Sequence, residues 1–382
     1  MSCGKVALVH DWLTGMRGGE RCLEVFCEMF PRADLYTLIY RGARMAPAIA
    51  AMNVRASWIN RLPAVESYYR YCLPLFPNAI EKFELKDYDL VISSSHCVAK
   101  GAIAQNALHI AYIHSPMRYI WDLHDVYFGT DSSWLSRTGM SVWRDYLQQW
   151  DLRSSQRVDF FIANSRNVAA KISKLYGRQA AVIYPPVDIE RFYVRETPEP
   201  YYLLVSALVP YKRTDIAIAA FNRLKLPLKI VGSGPLRKRL AKMAKPNIEF
   251  LGWVDDLCLA HLYASCQAVI FPGEEDFGIV PVEAQASGRP VIAYGKGGAL
   301  ESVLPWNFAA ADSPSGPNPT GIFFDECSVE SMMEAVRLFQ KNHQKFAPVE
   351  IRRHASKFSR QRFAAEFRDY VKARMGERQL ET

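Results

Sequence analysis

The sequence predicts an α/β protein of two parallel-sheet domains, on three observations. Apolar runs of strand length alternate with stretches of helical periodicity, from Lys5-Val6-Ala7-Leu8-Val9 to Ala268-Val269-Ile270-Phe271. That alternation marks parallel strands joined by crossover helices. The chain has 382 residues, 49% hydrophobic and 23% charged, which is enough for two domains of ordinary size. A polar, proline-rich break at Arg195-Glu196-Thr197-Pro198-Glu199-Pro200 divides the alternation into two series, as an interdomain linker does.

The first series opens with the strand Lys5-Val6-Ala7-Leu8-Val9-His10-Asp11, which leads into Leu13-Thr14-Gly15-Met16-Arg17-Gly18-Gly19-Glu20. Two adjacent glycines let the backbone approach a ligand closely. The helix that follows carries Leu23, Phe26, Cys27 and Phe30 at helical spacing and stops before Pro31. A second strand is read from Asp34 to Tyr40, and a buried one from Tyr88 to Ser95. Asp87-Tyr88-Asp89 has the D-x-D spacing that can hold a divalent ion, but it enters a strand rather than leaving one. Its carboxylates therefore fall at the edge opposite a ligand crevice, and no metal site is expected. Leu108 to Ile113 is a strand that ends at His114, before Ser115-Pro116, which puts this imidazole in the crevice of a parallel sheet. Val158 to Ser165 gives another strand, whose Asn164-Ser165 end caps a helix running toward Gly177. Ala181 to Asp188 closes the series.

The second series restarts at Tyr201 to Leu208, a strand left through Val209-Pro210-Tyr211-Lys212-Arg213 into a helix with Ile216, Ile218, Ala219 and Phe221. Lys212 and Arg213 thus project near a helix start, where two cations can neutralise a diphosphate. Leu228 to Pro235 contains Gly232-Ser233-Gly234 after a strand, but Arg237 stands where a dinucleotide fingerprint needs its third glycine. No acidic residue ends the next strand, Ile248 to Leu251, so NAD binding is not expected. The stretch around which the chain is organised is Phe271 to Ala284: the strand breaks at Pro272-Gly273, a polar loop follows, and Pro281 marks a helix start. Glu275 in the loop and Glu283 in the first turn of the helix can face one cleft. Helical periodicity resumes near Val329 and again from Phe358 through Phe363, Phe367, Tyr370 and Val371.

Composition excludes several classes. There is no apolar run of about eighteen residues, and the start is too short and too soon acidic for a secretory signal, so a cytosolic location is expected. The eight cysteines form no C-x-x-C pair and read as reduced core thiols rather than disulfides or zinc ligands. The net charge of +8 is concentrated, with twelve Lys/Arg against four acids between Arg337 and Arg378. A smaller basic stretch holds Arg41, Arg44, Arg55, Arg61 and Arg70 against Glu66, interleaved with Trp58, Tyr68, Tyr69, Tyr71 and Phe76. Cationic and aromatic side chains together suit an anionic membrane surface; an irregular helix pair packed on the sheet accounts for them equally. No nucleic-acid fold signature accompanies the charge, so nucleic acid is not expected as a partner. The aromatic segment from Met117 through Trp121, Asp122, Leu123 and Trp134 to Trp143 and Trp150 offers flat rings on which the C–H face of a sugar can pack, and core packing explains part of it equally well.

Glu275 to Glu283 resembles the E-x7-E signature of retaining glycosyltransferases of the GT-B fold, in particular family 4. The likeness extends from Glu275-Asp276-Phe277-Gly278-Ile279-Val280-Pro281-Val282-Glu283 through Gly288-Arg289-Pro290-Val291-Ile292-Ala293 to Gly297-Gly298 and Glu301. It implies two Rossmann-like domains facing each other across a cleft, with a C-terminal helix returning to the first. The domains are then 1–194 on the acceptor side, a linker at 195–200, 201–355 for the nucleotide sugar, and a crossing helix at 356–382. The resemblance assigns catalytic roles to His114, which would hydrogen-bond the donor sugar, and to Glu275, which would orient its hydroxyls. It assigns donor binding to Gly18, Gly19, Lys212, Phe277, Gly278, Ile279 and Glu283, the last on the ribose. Family members commonly carry an arginine where this chain has Ala207, and Arg213 is the nearest substitute for that half of the phosphate clamp. The Phe250–Asp256 loop corresponds to one that commonly borders the nucleobase. The implied reaction is metal-independent transfer of a hexose from a nucleotide diphosphate sugar, which is a substrate; no cofactor is implied.

Within the family, Leu208-Val209-Pro210-Tyr211-Lys212-Arg213 and His114-Ser115-Pro116-Met117-Arg118-Tyr119 look most like bacterial O-antigen and exopolysaccharide mannosyltransferases. That likeness implies GDP-mannose as donor, a lipid-linked saccharide as acceptor, and a peripheral position on the inner face of the cytoplasmic membrane. A UDP-sugar donor with the same chemistry is the alternative within enzymes, and a non-catalytic sugar or nucleotide binding protein the alternative outside them. A glycoside hydrolase would need paired carboxylates but no cationic diphosphate site, and Lys212 and Arg213 argue against it.

Overall fold

The computed structural model describes residues 4–121, 134–306 and 318–381, with the side chains of 134–142 and 379–381 outside the description. The chain divides into two units: residues up to Pro186 together with Gln361 onward, and Val187–Arg360.

The first unit contains seven strands: β1 (Val6–His10), β2 (Asp34–Thr37), β3 (Asn53–Ala56), β4 (Leu90–Ser95), β5 (Leu108–Ile113), β6 (Phe160–Ala163) and β7 (Ala180–Val182). They are ordered β3-β2-β1-β4-β5-β6-β7, and each neighbouring pair is parallel. Every residue of β1, β4 and β5 is buried, because helices and loops cover both faces of a parallel sheet. One face packs on Leu23 and Phe26 of the helix Gly18–Met29 and on Phe30, which follows it; the other packs on Trp12, Ile59, Tyr69, Phe76 and Trp150. The helix Arg166–Tyr176 has both caps read from the sequence. Ser165 accepts the Val168 N–H at 3.1 Å, and Gly177 closes the helix at φ +64° with its N–H on Ser173 O at 3.1 Å.

The C-terminal helix, Arg360–Glu381, belongs to this first unit. Phe363 and Phe367 are fully buried, with ring centroids 5.5 and 4.6 Å from that of Phe26. Much of its positive charge is engaged: Arg362 meets Glu366 at 2.7 Å and Tyr184 O at 2.7 Å, Arg374 bonds Glu377, and Arg378 bonds Asn106 O.

The second unit contains β8 (Tyr202–Val205), β9 (Leu228–Val231), β10 (Ile248–Gly252), β11 (Val269–Phe271), β12 (Val291–Tyr294) and β13 (Gly321–Phe324). Their order is β10-β9-β8-β11-β12-β13, again parallel throughout. In both sheets, the strand order reverses beside the first strand of the unit, between β1 and β4 and between β8 and β11. The segment 187–200 clusters with the second unit rather than hanging as a free linker. Arg352 bonds Phe192 O at 2.7 Å, and Arg195 holds Glu199 at 2.8 Å and Ser265 Oγ at 2.9 Å.

Candidate functional site

In an open parallel sheet the crevice at the carboxyl ends of the strands, where the order reverses, is lined by loops free to carry chemistry. Each unit has one. In the second unit, β8 leads through the turn Pro210–Lys212 to the helix Thr214–Leu224, and β11 leads through Pro272–Gly278 to the helix Ile279–Ala286. The two loops touch backbone to backbone at Gly273, where any Cβ would lie 2.8 Å from Tyr211 O and 2.9 Å from Lys212 Cα. That close approach delivers the Lys212 ammonium onto the Glu275 carboxylate as an ion pair, each side chain 17% exposed. From the other side, the loop after β12 clamps Glu275. Gly297 is at φ +64°, where a Cβ would sit 2.3 Å from Glu275 O, and the Gly298 N–H donates to that oxygen at 2.8 Å. Gly232 and Gly234 likewise make room for the carbonyls of Ser206 and Leu208, which is loop packing rather than a dinucleotide turn.

The other donor-site expectations of this unit lie on the segments that follow β8 and β11. Phe277 is buried, its ring 5.6 Å from that of Phe358, and anchors the loop. Gly278 precedes the helix at φ +82°, and Ile279 is the first helical residue. The first turn of the helix therefore points backbone N–H groups without intrahelical partners into the crevice. Glu283 is the fifth residue of this helix, one turn later than the sequence reading placed it, because the helix starts two residues before Pro281. Its Oε2 accepts the Tyr263 hydroxyl at 2.8 Å, and its Oε1 is 3.8 Å from the Arg191 guanidinium. Arg213 stands at the N-cap position of the helix Thr214–Leu224 at φ +52° and turns its guanidinium to Asp215, at 3.2 and 3.3 Å, and to Cys327 Sγ at 3.3 Å. Sequence reasoning overlooked Lys296 in the Gly295-Lys296-Gly297-Gly298 loop after β12; its ammonium lies 5.5 Å from the Tyr294 ring centroid. The signal was a lysine among glycines at a strand's carboxyl end.

In the first unit, Gly18 and Gly19 open the helix Gly18–Met29, and a Cβ on Gly19 would come 3.6 Å from the His10 ring and 3.7 Å from that of His114. His114 follows β5, and its Nε2 is 2.8 Å from Ser94 Oγ, at the end of β4. The same hydroxyl lies 3.1 Å from His10 Nδ1, at the end of β1. Burial, then the neighbouring His96, pushes the imidazoles of His10 and His114 down to about 3, so both are neutral. Asp11 is fully buried and accepts the backbone N–H groups of His96, Cys97, Val98 and Ala99 at 2.6–3.0 Å, while His96 Nδ1 lies 3.1 Å from its Oδ2. Glu20 accepts the Arg17 N–H at 3.1 Å; its burial pushes the carboxyl up to about 7. His10, Asp11, Ser94 and His96 were missed from sequence. Their signal was polar residues clustered at the carboxyl ends of otherwise apolar strands.

The remaining sequence expectations fall elsewhere in the fold. Asp89 Oδ2 accepts the Lys5 N–H at 2.6 Å at the start of β4, a structural tie. Among the described residues, no group of three or more His, Cys, Asp or Glu is placed to hold a metal ion. Of the aromatic acceptor candidates, Trp121 donates to Asp151 and Trp150 to Glu81, each at 2.8 Å; Trp143 is exposed. Asp122, Leu123 and the side chain of Trp134 lie outside the described residues. In the basic aromatic stretch Tyr69 and Phe76 are core residues beside Trp12, whereas Trp58 and Tyr71 are exposed. Among the described residues, no helix is long and apolar enough to cross a membrane.

Comparison with known proteins bears on family and fold. Residues 16–191 match the model of Glycosyltransferase Family 4, and residues 188–362 that of Glycosyl transferases group 1. An uncharacterized glycosyltransferase of Methanocaldococcus jannaschii is 30% identical over 209 residues, 53% of this chain and 54% of the relative. O-antigen chain mannosyltransferase C of Escherichia coli is 31% identical over 154 residues, 36% of this chain and 42% of the relative. The chain thus spans about half the length of the curated relatives it matches. HepE of Anabaena, solved with UDP, superposes with a TM-score of 0.69 at 18% identity, covering 96% of this chain and all of that one, which shows the fold. The chain therefore belongs, by its two domains, to the Glycosyltransferase Family 4 and Glycosyl transferases group 1 families, with the GT-B fold.

Proposed function

We propose that this protein transfers a hexose from a nucleotide diphosphate sugar to a saccharide acceptor, without a metal ion and with retention at the anomeric carbon. The observation that carries the reading is the Lys212–Glu275 pair at the carboxyl edge of the second sheet, beside the first turn of the helix Ile279–Ala286. A cation and unpaired N–H donors stabilise a departing diphosphate electrostatically, a contribution of several kcal/mol. Glu275 supplies the carboxylate that orients sugar hydroxyls and faces the oxocarbenium-like carbon. Glu283, fixed by Tyr263, takes the ribose hydroxyls, and His114 bonds the donor sugar. The bond from the anomeric carbon to the diphosphate oxygen breaks, the acceptor oxygen attacks the same face, and the leaving diphosphate oxygen takes the acceptor's proton. Arg213, forked onto Asp215, reaches the diphosphate by exchanging that partner.

GDP-mannose is the donor we favour, supported by the mannosyltransferase relative from Escherichia coli; a UDP-sugar is the second reading, supported by the UDP held by HepE. The acceptor we favour is a lipid-linked saccharide of surface polysaccharide or O-antigen synthesis, met at the inner face of the cytoplasmic membrane. Exposed Trp58 and Tyr71 on the same stretch of chain as exposed Arg61 and Arg70 support that surface. Hydrolysis of GDP-mannose, UDP-glucose and UDP-N-acetylglucosamine by the purified protein tests the chemistry, with the first product anomer read by NMR. Cleavage of GDP-mannose to the α-anomer is expected. Inversion refutes retention, and tight nucleotide binding with no donor cleaved makes this a binding protein.

A further inference from the structure

We infer that Ser94 and His10 are positioning residues that fix the tautomer of His114, leaving its Nδ1–H as a donor toward the ligand. Ser94 Oγ stands between two neutral imidazoles, 2.8 Å from His114 Nε2 and 3.1 Å from His10 Nδ1. A hydroxyl has one proton. For both contacts to be hydrogen bonds, Ser94 must donate to one ring nitrogen and accept from the other, so the two rings are locked to opposite protonation at the atoms that face it.

Two independent features choose between the arrangements. Hydrogen bonds donated by a hydroxyl are shorter than those donated by an N–H: the mode is near 2.7–2.8 Å for O–H···O and near 2.9–3.0 Å for N–H···O. The 2.8 Å contact is thus Ser94 O–H donating to His114 Nε2, and the 3.1 Å contact is His10 Nδ1–H donating to Ser94 Oγ. The second feature is His10 Nε2, which is enclosed and has no hydrogen-bond partner. In the chosen arrangement that atom carries only a lone pair. In the reverse arrangement it would carry a buried, orphaned N–H, the rarer kind of unpaired group in folded proteins. Both features place the His114 proton on Nδ1. Among the described residues nothing bonds that atom, and His114 is only half-buried, so the N–H is open to an oxygen lone pair of a hydroxyl or ether. A ligand group that could only donate would be rejected.

The tautomer does not rest on the proposed activity, whereas its consequence for the donor does, so the test has two arms. In the full-length protein labelled with 15N-histidine, His114 is assigned by loss of its ring signals in His114→Gln. It should show a protonated Nδ1 and a bare Nε2. Ser94→Ala should leave a mixture of tautomers, and Ser94→Thr, which keeps the hydroxyl, should restore the wild-type pattern. His10→Phe, which keeps the ring but not the N–H, should also release the preference. A wild-type His114 protonated on Nε2, or a tautomer unchanged by both Ser94→Ala and His10→Phe, overturns the inference whatever the activity. In the second arm, hydrolysis of GDP-mannose and UDP-glucose is followed. Ser94→Ala is expected to raise KM about tenfold for whichever donor is cleaved, with Ser94→Thr within threefold of wild type. An unchanged KM in Ser94→Ala with a mixed tautomer refutes the link from tautomer to donor and leaves the transferase reading standing.

Discussion

Replacing Lys212 by alanine removes the cation that meets Glu275 and leaves that carboxylate alone at the site proposed for the diphosphate. Unit charges about 4 Å apart interact by about 4 kcal/mol at an effective dielectric of about 20. With 17% of the Lys212 side chain exposed, solvent takes part of this, and the expected loss is about 2–3 kcal/mol. That corresponds to roughly 30–150-fold weaker binding of GDP or UDP by titration calorimetry. Part of the loss comes from repulsion between the bared Glu275 and the phosphates. In Lys212→Ala/Glu275→Gln that repulsion is gone, so the double variant should regain about 1 kcal/mol, roughly fivefold, over the lysine variant. Glu275→Gln alone should bind nucleotide at least as tightly as wild type while slowing transfer by about 100-fold or more. If Lys212→Ala stays within twofold of wild type, Lys212 is not at the phosphate site; if the double variant is no better than the single, the electrostatic coupling is wrong.

Activity should persist in excess chelator, and a loss restored by magnesium or manganese would contradict side-chain neutralisation of the diphosphate. Acid should destabilise the fold. His10 and His109, both fully buried, stay neutral down to about 3, while in the unfolded chain they take a proton below 6.5. Each thus loses about 2 kcal/mol of stability between pH 7.5 and 5. Glu20, pushed up to about 7, works the other way: the folded state takes its proton first and gains about 2 kcal/mol over the same range. Glu20→Gln should therefore lose stability more steeply with acid than wild type in urea titrations; parallel curves would refute the assignment. Lys100 is buried on Asp151 at 3.0 Å, and Lys100→Met should cost about 3–5 kcal/mol in urea by stranding that carboxylate, less a fraction retained by the Trp121 and Tyr176 donors. Each exposed arginine near an anionic surface contributes about 1 kcal/mol. Charge reversal at Arg55, Arg61 and Arg70 should therefore reduce sedimentation with anionic vesicles more than reversal at Arg368, Lys372 and Arg374. Wild type that fails to sediment at low salt would point to a soluble acceptor.

Alternation of apolar runs with helical periodicity decided the two parallel sheets, because strands buried on both faces must be continuously apolar and parallel neighbours need crossovers. Local chemistry also decided the caps at Ser165 and Gly177, and the loop–helix junction that carries Glu275 and Glu283. These features are set by residues close in sequence. The chain alone likewise placed His114 at the end of a strand, where a polar residue after an apolar run has to meet solvent or a ligand.

Tertiary structure decided everything that depends on which loops meet. That Lys212 touches Glu275 follows from β8 and β11 being neighbours in the sheet although the two residues lie 63 positions apart in the chain, and from glycines whose missing side chains let the loops close. The sequence shows the glycines but not what they approach. Arg213 stood as a free cation in the sequence; its left-handed backbone turns it to Asp215 instead. Tyr69 and Phe76 fitted a membrane surface and a packed core equally in the sequence, and burial against Trp12 makes them core, since composition cannot tell which side of an irregular helix faces inward. Ser94 bridges two histidines only because β1, β4 and β5 lie side by side, a proximity that hydrogen bonding between distant strands creates and no local pattern encodes.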